Sequence, residues 1–144
     1  MSYSIDANIL LYASDTDSPF QARACAFLEK CATEPELLGL TWPVVTAFLR
    51  IATHGRIFGS PLAPADARAN IEALVALPQV RLLDCNYESW QSYCRVTDEQ
   101  PARGDAVTDA YIASVLRHYG IRRFYSKDRD FRRYPFLEVR DPLE

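Results

Sequence analysis

The chain has few of the residues on which several kinds of active site depend. Histidine occurs only as His54 and His118, and Cys25, Cys31, Cys85 and Cys94 include no C-x-x-C pair. A zinc site rich in nitrogen or sulfur therefore cannot readily be assembled. The same shortage leaves serine or cysteine nucleophiles without a candidate base, and no G-x-S-x-G sequence is present. Glycine occurs 5 times and never as G-x-G-x-x-G or a Walker loop, so the phosphate-cradling turn of nucleotide-binding α/β domains is missing. Positive charge is not in excess: 16 lysines and arginines against 19 aspartates and glutamates give a net charge of -3. Any contact with nucleic acid must then be local. No apolar run is long enough to cross a bilayer. Met1 to Tyr12, with Asp6 in its middle, lacks the basic start and apolar centre of a signal peptide. A cytoplasmic protein is expected, with reduced cysteines that serve packing.

What is present suffices for one core. At 144 residues and 49% hydrophobic, the chain supports a single domain spanning residues 1–144, because a second would leave neither half enough apolar area. Ser2-Ile5 reads as a short buried strand running through Asp6 into a helix that carries Ile9-Leu11. Ser18-Pro19 predicts the start of a helix with Ala24, Phe27, Leu28 and Cys31 on one face. Leu37-Thr41 is a second strand, followed by a helix opening at Pro43 and reaching about Thr53. Pro64 begins another helix, stopped by Pro78, and Val80-Leu83 is a third strand. Tyr87, Trp90, Tyr93 and Cys94 mark a further helical face. A helix from Asp105 to about Tyr119 ends at Gly120, and strands follow at Arg122-Ser126 and Leu137-Val139. This βαβα alternation predicts an α/β fold: a central, mainly parallel sheet with helices on both faces.

In such a sheet the site forms beyond the carboxyl ends of the strands. Asp6 follows the first strand, Asp128 and Asp130 follow the strand ending at Ser126, and Asp105 and Asp109 open the helix before that strand. Carboxylates gathered in one cleft repel one another unless protons or cations are supplied. Oxygen ligands select hard cations, Mg²⁺ or Mn²⁺, which keep several waters and need few protein groups. Ordinary structural roles compete for each residue. Asp105 follows Gly104 at a helix start, where capping explains it as well as metal binding does. Asp130 has Arg129, Arg132 and Arg133 to pair with in a solvated turn. Asp109 is harder to dismiss, because it lies four residues beyond Asp105 on the same helical face, where a second like charge is unfavourable without a cation.

Three blocks carry a resemblance. Ile5-Asp6-Ala7-Asn8-Ile9-Leu10-Leu11-Tyr12 resembles the opening D-x-N-hydrophobic motif of PIN-domain proteins. Val107 to Ala113 resembles the family's third acidic motif and Tyr125 to Phe131 its last, in the expected order and spacing. The text between, Trp42 to Thr53 and Arg56 to Phe58, is similar to the VapC toxins of bacterial toxin-antitoxin pairs. The resemblance implies a PIN-like three-layer α/β/α fold and Mg²⁺- or Mn²⁺-dependent endonucleolytic cutting of RNA. It also implies a homodimer and neutralisation by a cognate VapB-type antitoxin. One departure stands out: the family's second acidic residue aligns with Ala47, and no Asp or Glu occurs between Glu36 and Asp66. Two readings follow, an active nuclease in which water or Asp105 replaces the missing ligand, and a PIN-fold RNA- or protein-binding module that cuts poorly.

On the first reading Asp6, Asp109 and Asp128 are the ligands, direct or through water, with Asp105 and Asp130 as outer or alternate ligands. Asn8 and Ser126 support them, although a turn and backbone bonding explain those two residues equally well. Arg117, Arg122, Arg123, Lys127, Arg129, Arg132 and Arg133 crowd the last acidic motif in sequence and supply the local positive footprint, which Arg50, Arg56 and Arg103 extend. Arg50, Lys127, Arg129 and Arg132 are the candidate RNA contacts, against the plain alternative of a solvated charged surface. Tyr12, Trp42 and Trp90 are candidates for stacking on bases, although aromatics at such spacings more often serve a core or an interface.

Overall fold

A computed structural model describes residues 1–144. Its strands are β1 (Ser2–Ile5), β2 (Leu37–Thr41), β3 (Val80–Leu83), β4 (Arg123–Tyr125) and β5 (Glu138–Arg140). They form one sheet in the order β3-β2-β1-β4-β5, with every neighbouring pair parallel. The central strands are apolar almost without interruption, because both of their faces are covered. Tyr3, Ser4 and Ile5 of β1 and Leu38 to Thr41 of β2 are all buried. Gly39 is fixed by the same closeness: a methyl group on it would lie 2.8 Å from Ile121 Cδ1 and 3.0 Å from Leu83 Cδ1.

The helices are α1 (Ala7–Ser14), α2 (Gln21–Thr33), α3 (Trp42–Ala52), α4 (Pro64–Val75), α5 (Tyr87–Glu99) and α6 (Ala106–His118), with a 3₁₀ helix at Arg129–Arg133. They cover both faces of the sheet and complete three α/β/α layers. Helix α1 packs on α2 and α3, α3 on α4, and α5 on α6. One contiguous core joins Ile5, Leu38, Leu40, Val44, Phe48, Val115, Leu116 and Phe124. Pro43 and Pro64 sit in the first turns of α3 and α4, where a missing N–H is no loss. Gly120 follows α6 with φ +70°, a conformation that ends a helix with little strain only at glycine. No helix is long and apolar enough to cross a membrane.

The sequence reading needs correction at several points. Helix α2 starts at Gln21, because the Ser18 hydroxyl is used ahead of it, accepting the Phe20 N–H at 3.1 Å. Tyr87 and Trp90 do not face the core: they are 71% and 57% exposed, and α5 buries Ser89, Ser92 and Val96 instead.

Strand order reverses at β1. The chain moves outward through β2 and β3, then returns to lay β4 and β5 on the other side. The connections therefore part at the carboxyl ends of β1 and β4, where an open parallel sheet offers a crevice.

Candidate metal centre

Three segments bring carboxylates to that crevice. Asp6 directly follows β1 and caps α1, its Oδ1 accepting the Ala7 N–H at 2.7 Å. Its own N–H donates to the Tyr125 carbonyl at 2.9 Å, fastening the end of β1 to β4. Asp128 follows β4 and caps the 3₁₀ helix, accepting the Asp130 N–H at 2.8 Å, so Asp128 and Asp130 are held by one short turn. Asp109 projects from the first turns of α6. Carboxylate oxygens of Asp109, Asp128 and Asp130 all lie within 4.8 Å of one another.

Ser126 ties Asp6 to this group. Its buried hydroxyl donates to Asp6 Oδ2 at 2.7 Å and accepts from the Asp128 N–H at 2.9 Å and from Asn8 Nδ2 at 3.3 Å. One hydroxyl thus joins the ends of β1 and β4, residues 120 apart in sequence. Asn8 Oδ1 is buried with no partner, as is the hydroxyl of Thr41. Continuing the β1–β2 register, in which Ser2 faces Leu37 and Tyr3 faces Leu38, brings Thr41 alongside Asp6. The Asn8 oxygen, on a side chain bonded to Ser126, is a group that water or an ion's hydration shell would satisfy.

The electrostatics follow from burial first and crowding second. Burial pushes the Asp6 carboxyl above its ordinary value and the nearby Asp128 adds to this, while the bonds from Ser126 and Ala7 oppose it. Asp109 is pushed up to about 6, chiefly by burial and then by the charges of Asp128, Asp6 and Asp130, with Arg133 counteracting. That Asp109 feels all three other carboxylates means the four share one field.

The remaining sequence candidates are distributed less compactly. Asp105 stands exposed at the start of α6, makes no capping bond there, and lies outside the three-carboxylate cluster. The basic stretch is divided by the fold. Arg122 and Arg123 precede or begin β4 and line a cleft with Met1 and Arg140 at the amino end of the strands, away from the acids. Arg123 is held by Glu36, and Arg117 lies 3.7 Å from Glu99 and 5.2 Å from the centre of the Phe136 ring. Lys127 is shared between the Phe20 ring, 4.3 Å away, and Asp141, 3.5 Å away. Arg129, Arg132 and Arg133 remain exposed on the 3₁₀ helix beside the carboxylates. Arg50 lies on α3, in a groove against α6. Sequence reasoning missed Thr41, whose only signal was its place at the end of a strand facing Asp6.

The PIN domain family profile matches residues 3–137, and the chain belongs to the PIN-domain family. Its relatives within that family are VapC ribonucleases. Ribonuclease VapC48 of Mycobacterium tuberculosis is 39% identical over 143 residues, covering 99% of each chain. Ribonuclease VapC33 of the same species is 34% identical over 141 residues, covering 96% of each. Among solved structures, VapBC2 from Rickettsia felis bound to a DNA fragment from its promoter matches with a TM-score of 0.70 at 15% identity, over 98% of each chain. Mycobacterium tuberculosis VapC20, a Sarcin-Ricin loop cleaving toxin, matches with a TM-score of 0.67 at 17% identity, over 96% of this chain and 98% of that one. At these identities the structural matches show the shared fold.

Proposed function

We propose that this chain is a metal-dependent endoribonuclease, the VapC-type toxin of a toxin-antitoxin pair, working as one domain in the cytoplasm. The observation that carries the proposal is the convergence of Asp109, Asp128 and Asp130 within 4.8 Å, with Asp6 linked to them through Ser126. A hard divalent ion fits this donor set. The ligands are all oxygens, burial and then their mutual repulsion lift Asp109 to about 6, and the orphaned Asn8 acceptor suits a hydrated ion. Asp6, Asp109 and Asp128 would hold Mg²⁺ or Mn²⁺, with Asp130 beside them and Asp105 as an outer group. Bound there, such an ion supplies Lewis acidity to the scissile phosphate.

The chain's own groups do the positioning. Ser126 fixes both the Asp6 carboxylate and the Asp128 backbone, and Asn8 fixes Ser126 in turn. Arg129 and Arg132 offer planar guanidinium forks to the RNA backbone next to the acids. Lys127, already shared between Phe20 and Asp141, adds mainly to the field. The binding-only reading prompted by Ala47 finds no support, since relatives 34% and 39% identical over nearly the whole chain are named ribonucleases. A Mg²⁺ ion that keeps several waters does not require a fourth carboxylate.

RNA fragments should form only with Mg²⁺ or Mn²⁺ present, and Asp6→Asn should abolish them. Equal cutting by that variant, with an intact fold, would remove the carboxylates from the mechanism. Two partners belong to the same reading. An apolar groove of about 430 Å³, walled by Leu10, Leu28, Phe48, Leu62, Ile71 and Leu74, suits the apolar face of a VapB-type antitoxin segment. The exposed Tyr87 and Trp90 of α5 favour a homodimer, and a monomer by light scattering at micromolar concentration would contradict it.

A further inference from the structure

We propose that the groove between α3 and α6 is a nucleotide subsite for the RNA strand being cut, in which Trp42 stacks on a base and Arg50 holds the adjoining phosphate. The inference rests on the ribonuclease reading and deepens it. The groove is open to solvent and has a volume of about 380 Å³, within the range of small-ligand sites. Its α6 wall includes Thr108, the residue directly before Asp109 in the chain.

Charge decides what the groove accepts. Arg50 is the only charged side chain in its wall, is exposed, and takes part in none of the chain's ion pairs. Ala47 lines the same wall at the position where the family resemblance places an acid. A carboxylate one turn from Arg50 would pair with the guanidinium and repel a phosphate. With alanine there, the wall is positive, and the fork of Arg50 is free for an anion.

Shape and surface supply the rest. Trp42, the first residue of α3, is 46% exposed although an indole gains by being covered. A base has a flat face to cover it whatever its sequence. The Thr46 hydroxyl donates to the Trp42 carbonyl at 3.1 Å, which leaves its oxygen able to accept from a ribose hydroxyl. A flat aromatic, one unpaired guanidinium and a hydroxyl acceptor in one groove match the base, phosphate and sugar of a single nucleotide.

The test measures binding of a fluorescein-labelled, mixed-sequence 12-nucleotide RNA by anisotropy, in an Asp6→Asn background with Mg²⁺ so that the probe is not cut. Arg50→Ala should weaken binding about tenfold and reduce the slope of log affinity on log salt by about 0.7, the signature of one lost phosphate on a single strand. Arg50→Lys should restore the slope but not all of the affinity. Trp42→Ala should weaken binding about tenfold with the slope unchanged. Wild-type affinity and slope in both alanine variants, in a protein that cuts RNA without the Asp6 change, would overturn the subsite alone. Conversion of a dimer to a monomer by Trp42→Ala would also overturn it, by placing the indole under a second copy. If the unmodified protein cuts no RNA with either metal, the ribonuclease reading fails and the subsite with it.

Discussion

Replacing Asp109 with asparagine should make the metal-free protein more stable near neutral pH while disabling the site. The folded protein keeps a proton on Asp109 to about pH 6, whereas the unfolded chain releases it near 3.8. Because the folded state binds the proton more tightly, stability falls as pH rises from about 3.8 through about 6 and levels off above. Each pH unit between the two values is worth about 1.4 kcal/mol, which sets a ceiling of about 3 kcal/mol. Asp109 is only half-buried, and solvent screening reduces this to about 1 kcal/mol. Asparagine has nearly the same shape and no charge to lose. Urea unfolding in EDTA should therefore give coincident curves for wild type and Asp109→Asn near pH 4 and a variant about 1 kcal/mol more stable at pH 7.5. Adding Mn²⁺ should reverse the order, since the ion stabilises only the protein that retains the carboxylate. A variant less stable than wild type at pH 7.5 in EDTA would refute the claim that burial and crowding make the Asp109 charge unfavourable in the metal-free site.

Other substitutions test the supports. Ser126→Ala deletes the hydroxyl shared by Asp6, Asp128 and Asn8 and should cost about 1–3 kcal/mol in thermal or urea unfolding, with a loss of RNA cutting. Thr41→Val removes a buried hydroxyl without a partner, so metal-free stability should hold or rise by up to about 1 kcal/mol; a clear loss would mean the hydroxyl is bonded after all. Gly39→Ala should destabilise the fold by about 1–3 kcal/mol, because the added methyl must displace Ile121 and Leu83 in the packed core, and unchanged unfolding would show that the core yields there.

Much of this fold was legible because its strands are short, apolar and sharply bounded. β2 lies between Pro35 and the Trp42-Pro43 helix start, and β3 between Pro78 and Asp84, so their limits could be read directly. Asp6, Asp109 and Asp128 were legible as acids at strand ends and a helix start. Ser126 was legible as a polar support beside the last acidic motif, but its bond to Asp6 was not, since that bond spans residues 120 apart and no local pattern records it. Nor was the 3₁₀ helix that sets Asp130 beside Asp128, as it depends on a single side-chain cap. The basic run was misread for a geometric reason. β4 separates Arg122 and Arg123 from Arg129 and Arg132, so neighbours in sequence stand at opposite ends of the sheet. Tyr87 and Trp90 kept helical spacing yet lie outside, because α5 turns its serines toward α6, where the Ser92 hydroxyl bonds the Ser114 carbonyl at 2.8 Å.

Calorimetric titration of Mn²⁺ into the wild-type protein and Asp128→Asn, side by side at pH 7.5, tests the central claim most directly. Saturable binding to the wild type, weakened at least tenfold in the variant, is the result the site requires. Equal affinity in the two proteins, or no heat with a folded wild type, would mean that the gathered aspartates do not hold a divalent ion.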